Sequence, residues 1–444
     1  MDIHAGDPSD VVVDEIRRHT SVLTAPPDLA PLLDRIGDSR VVLLGEATHG
    51  TAEFYELRAR LTAELIRSRD RAFVAVEGDW VPCARLDRYV RGRSGATSAR
   101  AALADVTRWP TWLLANEELR TFLEWMAAEN RGRRSPVGFH GIDVYGLFAT
   151  VDALVERLAA IDVEAAGHAR ALCQRLAAFG EDADAFAAAT TGLETPCVDA
   201  FDRLDRAIRT LGPDVPSADR FDLDQHALVA RNAARYRAAS GDPDRNDWNL
   251  RDRHMLETLD RLRAFYGPDA TAIGWGHNTH VGDARATDMA DRGDLNLGQL
   301  VRERYGPDDV VLVGFGTHRG SVIAAPAWGA PMRRMAVPPA APESVDAAFH
   351  RADGLDRLLL ADRIGPGTAL ATERDQRAIG VVYDPERETA NYVPTRLTAR
   401  YDAYLHLDET SALRPLAWST GAMSSATHWS LPPVDSYGSR PLPG

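Results

Sequence analysis

Two short stretches gather the side chains able to move protons. "VVLLGEATHG" (41–50) places Glu46 and His49 three residues apart at the end of an apolar run. "TAIGWGHNTHVGD" (271–283) ends a second apolar run with His277 and His280, and Asn278 stands between them. A carboxylate beside an imidazole fixes its tautomer and raises its basicity, making a general base that works near neutral pH. Such a base can activate water for attack on an ester or lactone carbonyl. Histidines or arginines across the site can stabilise the oxyanion that develops. Glu77 at the end of "RAFVAVEGD", His140 and Asp143 in "SPVGFHGIDV", and His318 in "DVVLVGFGTHRG" occupy comparable places. Each alone has an ordinary structural reading as a cap, an ion-pair partner or a surface group, and Asp143 is placed to cap the following helix. The constellation carries the signal.

Rival chemistries leave weaker traces. There is no G-x-S-x-G elbow, which disfavours a serine nucleophile. Cys83, Cys173 and Cys197 lie away from these segments and form no metal-ligand spacing. All 51 basic residues are arginine, so neither a lysine Schiff base nor a P-loop lysine is available. A divalent metal is the main alternative: two imidazoles and two carboxylates can hold zinc, although no HExxH is present. His277 and His280, on an expected loop, then become ligands rather than acid–base groups.

The elements that must position these groups alternate. Buried strands are expected over 40–45, 71–79, around 135–144, over 270–280 and over 309–320, with helices between them over 51–69, 80–91, 114–130 and 296–305. This pattern predicts an α/β fold with a central, mostly parallel sheet flanked by helices. Ligands bind such sheets beyond the C-terminal strand ends, where all the groups above would collect. Residues 147–248 are Ala-, Leu- and Arg-rich with helical periodicity, and are expected to form a helical insertion that walls an open cleft. The expected division is 1–146 and 249–420 as two parts of one α/β core, 147–248 as the insertion, and 421–444 as a poorly ordered tail.

The net charge of −14 over 444 residues disfavours a nucleic-acid binder, which needs a basic face. No apolar run is long enough for a membrane span, and the N-terminus lacks signal-peptide character. The expectation is a cytoplasmic enzyme acting on a small molecule, without nucleic-acid or membrane partners. Its oligomeric state is left open.

"GEATHG" with its arginine-bearing helix, "VAVEGD", the Arg251–Asp252–Met255 segment and "GWGHNTH", in this order, resemble the erythromycin esterase family. The resemblance runs from about Val41 to "YDAYLHLD". It implies hydrolysis of a macrolide lactone by a histidine-activated water without a covalent intermediate. By position it implies His49 as the base and Glu46 as its partner, with Glu77, His277 and His280 in the catalytic set. It also implies a cleft-facing Arg58 and substrate contacts from Asn278, with Arg251 and Asp252 positioning the site; His140 and Asp143 complete the expected substrate-binding group. Family members are described both as metal-independent and as chelator-sensitive, so no cofactor is expected while a divalent metal stays possible. Two other readings keep the same residues: a biosynthetic enzyme shuttling a proton in cyclisation, elimination or lactone rearrangement, and a non-catalytic binding protein retaining the cleft.

Overall fold

A computed structural model describes residues 8–24, 26–179, 183–240, 242, 244–418 and 431. The expected tail, 421–444, thus falls outside the described residues except for Leu431. Eleven strands are formed among the described residues: β1 (Thr20–Val22), β2 (Val41–Leu44), β3 (Ala72–Asp79), β4 (Gly138–Asp143), β5 (Thr271–Trp275), β6 (Val310–Ala324), β7 (Arg333–Val337), β8 (Arg357–Leu360), β9 (Glu373–Arg377), β10 (Tyr392–Arg396) and β11 (Ala403–Thr410). Nine of them make one sheet in the order β1-β8-β11-β6-β2-β5-β3-β4, with β7 paired to β6, while β9 and β10 form a separate ribbon. The sheet is mixed and mostly parallel: β2 runs parallel to both β5 and β6, and β6 parallel to β11, whereas β8 is antiparallel to β1 and β11.

The sequence explains the centre of this sheet. All four residues of β2 are buried, as an inner parallel strand covered on both faces requires. Leu44, its last residue, lies opposite Trp275 of β5 and Val313 of β6. The chain then turns into the helix Ala52–Ser68, which buries Phe54, Leu57, Leu61 and Leu65 at helical spacing. Thr51 takes the N-cap position, but its hydroxyl pairs with that of Thr48 instead of capping a backbone amide.

The polypeptide divides into two compact units. The first comprises Met1–Ala75, Leu86–Phe139 and Asp269–Gly444. The second comprises Val76–Arg85 and His140–Pro268, and so contains the ends of β3 and β4. The helical segment expected at 147–248 lies inside this second unit. Its helices Leu147–Ala159, Val163–Ala177, Ala183–Thr190, Val198–Arg209 and Ser217–Ser240 share a core of Leu154, Leu172, Phe186, Phe201, Leu204 and Leu223. Each such buried side chain contributes roughly 1.5–3 kcal/mol, which lets helices pack without a sheet of their own.

Three local expectations are corrected. β6 does not end near His318 but continues to Ala324, leaving His318 inside the strand. Glycine makes this possible: a Cβ at Gly316 would lie 1.8 Å from the Tyr404 hydroxyl, and one at Gly320 1.9 Å from the Thr410 carbonyl, so β11 can follow β6 closely. His140 is the third residue of β4, not its end. His277 and His280 belong to a short helix, Asn278–Val281, with His277 as N-cap, and not to a loop. Among the described residues no helix is long and apolar enough to cross a membrane.

Candidate functional site

In the first unit, the end of β2 delivers a buried carboxylate and imidazole to each other. His49 Nδ1 lies 2.8 Å from Glu46 Oε1, and Arg58 Nη2 donates to Glu46 Oε2 at 2.6 Å. Both carboxylate oxygens are therefore engaged. Arg58 comes from the second turn of the helix Ala52–Ser68, and its guanidinium lies 4.3 Å above the Tyr55 ring and 5.0 Å from the Trp275 ring. At 2% exposure it is a buried support for Glu46, which corrects the expectation of a cleft-facing arginine. The reason is the Glu46 charge: a buried carboxylate needs a buried cation, and a planar guanidinium can also stack on aromatic rings.

Two glycines bracket this pair because backbone must pass close to it. A Cβ at Gly45 would sit 2.2 Å from Asn278 Oδ1, and one at Gly50 would sit 1.9 Å from the Ile323 carbonyl oxygen. Gly50 in turn accepts from the Ile323 and Leu413 N–H groups, so β6 and the end of β11 hold the turn that carries His49.

The short helix after β5 brings His277 to the same place. The His49 and His277 ring centroids are 4.7 Å apart at an interplanar angle of 38°. The Asn278 N–H donates to the Glu46 carbonyl at 2.8 Å, which locks the two segments together. His277 Nδ1 faces the Thr279 hydroxyl at 2.9 Å and, as N-cap, accepts from the Thr279 N–H. A ring that accepts at Nδ1 carries its proton at Nε2. His49 is the complement: with Nδ1–H given to Glu46, its basic lone pair is at Nε2.

Asn278, expected to contact substrate, is buried. Its amide clamps the Phe315 backbone of β6, donating to the carbonyl at 2.6 Å and accepting from the N–H at 3.3 Å. Its own carbonyl accepts from Arg400 Nη2 at 3.1 Å. His280 lies buried on the same short helix.

The second unit holds a separate charged cluster. Arg251, on the helix Asp247–Tyr266, binds both oxygens of Asp143 at 2.9 and 2.8 Å and reaches Glu77 Oε1 at 2.7 Å. Burial pushes the Asp143 carboxyl up, but the Arg251 charge and hydrogen bonds outweigh it and hold the group below its ordinary range. The Tyr145 ring lies 4.7 Å from the Arg251 guanidinium, and its hydroxyl accepts from Tyr236 at 3.4 Å. Asp143 is thus an ion-pair partner and not a helix cap, since the next helix begins at Leu147 with Gly146 as N-cap. Asp252 is fully buried beside Arg251 in sequence. His140 stacks on Trp80 at 5.5 Å and meets the Tyr266 hydroxyl at 2.8 Å.

A third cluster forms around His318 with partners that the sequence reading did not single out. His318 of β6 stacks on His350 at 3.8 Å with nearly parallel rings, and His350 Nδ1 donates to Asp408 at 2.8 Å. His406 of β11 is buried against Phe349. Burial first, then the neighbouring His350 charge, pushes His318 down to about 4, and burial with the His318 and His350 charges pushes His406 down to about 3. Among the described residues, no group of three or more His, Cys, Asp or Glu side chains is arranged to hold a metal ion.

Comparison with known proteins places this geometry. Solved structures share the fold: a succinoglycan biosynthesis protein (19% identity, TM-score 0.72, covering 91% of this chain and 98% of that one) and a Bacillus cereus protein (19%, 0.74, 92% and 99%). An erythromycin esterase mutant in its open conformation also superposes, with 20% identity and a TM-score of 0.65 over 88% of this chain and 97% of the other. The erythromycin esterase type II of Escherichia coli is 28% identical over 117 residues, and the chain spans only 26% of that relative's length in the match. The family profile described as erythromycin esterase matches residues 66–410. It takes in Glu77, Asp143, Arg251, His277 and His280 and begins after Glu46, His49 and Arg58. Matching well over half of the sequence, it shows that the chain belongs to the erythromycin esterase family.

Proposed function

We propose that the protein hydrolyses an ester or lactone by direct attack of water, with His49 as general base. The observation that carries this reading is the 2.8 Å contact between His49 Nδ1 and a Glu46 carboxylate whose other oxygen is held by Arg58. That arrangement fixes the tautomer that keeps the basic lone pair of His49 on Nε2. Family membership supports a hydrolase-type activity; the residue roles are our assignment.

In the first step the water oxygen bonds to the carbonyl carbon while its proton passes to His49 Nε2. Glu46 stabilises the imidazolium that forms, and Arg58 keeps Glu46 oriented. His277 Nε2–H is the donor toward the tetrahedral oxyanion. In the second step the ester C–O bond breaks, and His49 returns the proton to the leaving alkoxide, giving an alcohol and a carboxylic acid that ionises in water. No covalent enzyme intermediate is needed. Acid–base assistance of this kind contributes on the order of 10²–10⁴ in rate, and a preorganised oxyanion donor about 10²–10³. Within the second unit Arg251 holds Glu77; in the first unit His280 joins the proposed catalytic set on the strength of family position.

The test is hydrolysis in H₂¹⁸O of a 14-membered macrolide and a panel of simple esters, followed by mass spectrometry. One ¹⁸O should enter the carboxylate under single-turnover conditions, and His49→Ala should abolish product. A rearranged product of unchanged mass, or label found first in the protein, would sink the direct-attack hydrolysis.

A further inference from the structure

The first unit carries an aromatic surface that the proton chemistry leaves unused. Trp328 is 65% exposed, unusual for so large an apolar side chain. It sits at the tip of the β6–β7 hairpin, in a turn where Gly329 takes a positive φ of 74° and Ala330 N–H donates to the Ala327 carbonyl. Its ring lies 4.6 Å from that of Trp109, which is itself fixed: Trp109 Nε1 donates to the Ala330 carbonyl at 2.9 Å and its ring meets Trp112 edge-on at 5.6 Å. Trp112 is buried, so the group rests on the core. Arg108, which donates to the Trp109 carbonyl, adds an exposed polar rim.

Both loops spring from residues hydrogen-bonded to neighbours of the Glu46–His49–Arg58 cluster. Trp328 follows by five residues Ile323, whose N–H donates to the Gly50 carbonyl next to His49, and five residues reach at most about 18 Å. On the other side, the Leu113 carbonyl accepts from the hydroxyl of Tyr55, whose ring underlies Arg58. The platform is thus built onto the same frame as the proposed base.

Resting on the hydrolase reading above, we propose that Trp109 and Trp328 form a specificity subsite that takes the saturated-ring face of a large, hydroxyl-bearing ester or lactone. An indole face is electron-rich and attracts the weakly positive C–H groups of a saturated ring. The polar rim suits a ligand whose edge carries hydroxyls. Sugars and hydroxylated macrocycles share this face chemistry.

The test separates binding from turnover. In a His49→Ala background, tryptophan fluorescence is titrated with a glycosylated 14-membered macrolide, with its sugar-free macrocycle, and with methyl α-glucoside. Both Trp328→Ala and Trp109→Ala are expected to weaken macrolide binding about tenfold, with Trp328→Phe retaining most of it. A loss confined to glycosylated ligands identifies a sugar as the occupant, and an equal loss for the macrocycle identifies the lactone ring. In the His49-containing protein, Trp328→Ala should raise KM for the macrolide while leaving kcat nearly constant. Unchanged Kd in both variants, with the circular dichroism of folded protein, would overturn the subsite. Trp328-dependent binding without any hydrolysis would overturn the hydrolase reading and leave the subsite standing.

Discussion

Arg58 and Glu46 form an ion pair 2.6 Å long with side chains 2% and 3% exposed, and His49 completes it from the other carboxylate oxygen. A cation so deep is held in place by the anion it serves, so the two cannot be altered independently. Arg58→Met should leave Glu46 charged, buried and unsupported, lowering stability by about 3–5 kcal/mol. The double variant with Glu46→Gln should recover much of that loss. Urea midpoints of the two singles and the double check it, and additive losses would contradict the coupling.

Glu46→Gln keeps the shape but removes the charge that stabilises protonated His49. We expect kcat on an activated ester to fall by about 10²–10³, with little change in KM. A change confined to KM would assign Glu46 to substrate binding instead.

The close approach at Gly50 predicts an unusually costly methyl group. Gly50→Ala places a Cβ 1.9 Å from the Ile323 carbonyl oxygen, so backbone must move, whereas Gly95→Ala meets nothing within 4 Å. Thermal unfolding should show a loss of several kcal/mol for the first, by the usual scale of overpacking and its backbone shifts, and almost none for the second. Activity of Gly50→Ala should fall with it, because His49 immediately precedes it.

The histidine cluster predicts acid sensitivity. His318 and His406 have folded values of about 4 and about 3 against an ordinary 6.5, so the unfolded chain binds protons first as pH falls. Their contribution is intact above pH 6.5 and is lost progressively between there and the folded values. At pH 5, His406 alone accounts for about 2 kcal/mol. The groups facing the cluster are His350 and Asp408, with Arg319, Arg377 and Asp346. His406→Phe, stacked on Phe349, should flatten the decline in urea midpoint between pH 7 and pH 5; an unaltered slope would contradict it.

The centre of the sheet and the Glu46–His49 pair were legible because both are local: an apolar run of inner-strand type, then two polar groups three apart. Arg58 was visible as a residue but not as a buried support, since its partner is reached only when the helix folds back over β2. The engagement of Asn278 was hidden for a similar reason. Its amide looked available, yet the backbone that consumes it belongs to Phe315, 37 residues away. His350 and His406 left no sequence signal at all. His406 reaches the neighbourhood of His318 through the register of β11 on β6, which sets it opposite Gly316, and His350 stacks on His318 from the helix Val345–Asp353. The tryptophan platform joins residues 109 and 328 and was equally invisible.

The guanidinium under Glu46 has a kinetic consequence. A guanidinium meets a carboxylate through a planar fork rather than as a point charge, so it fixes the direction of Glu46 as well as facing its charge. In our reading His49 is the one group that must give up a proton before it can act as the base, so kcat/KM should rise through one ionisation and stay level into alkali. A bell-shaped profile would require a second ionising group, and its upper limb would give that group's pKa directly.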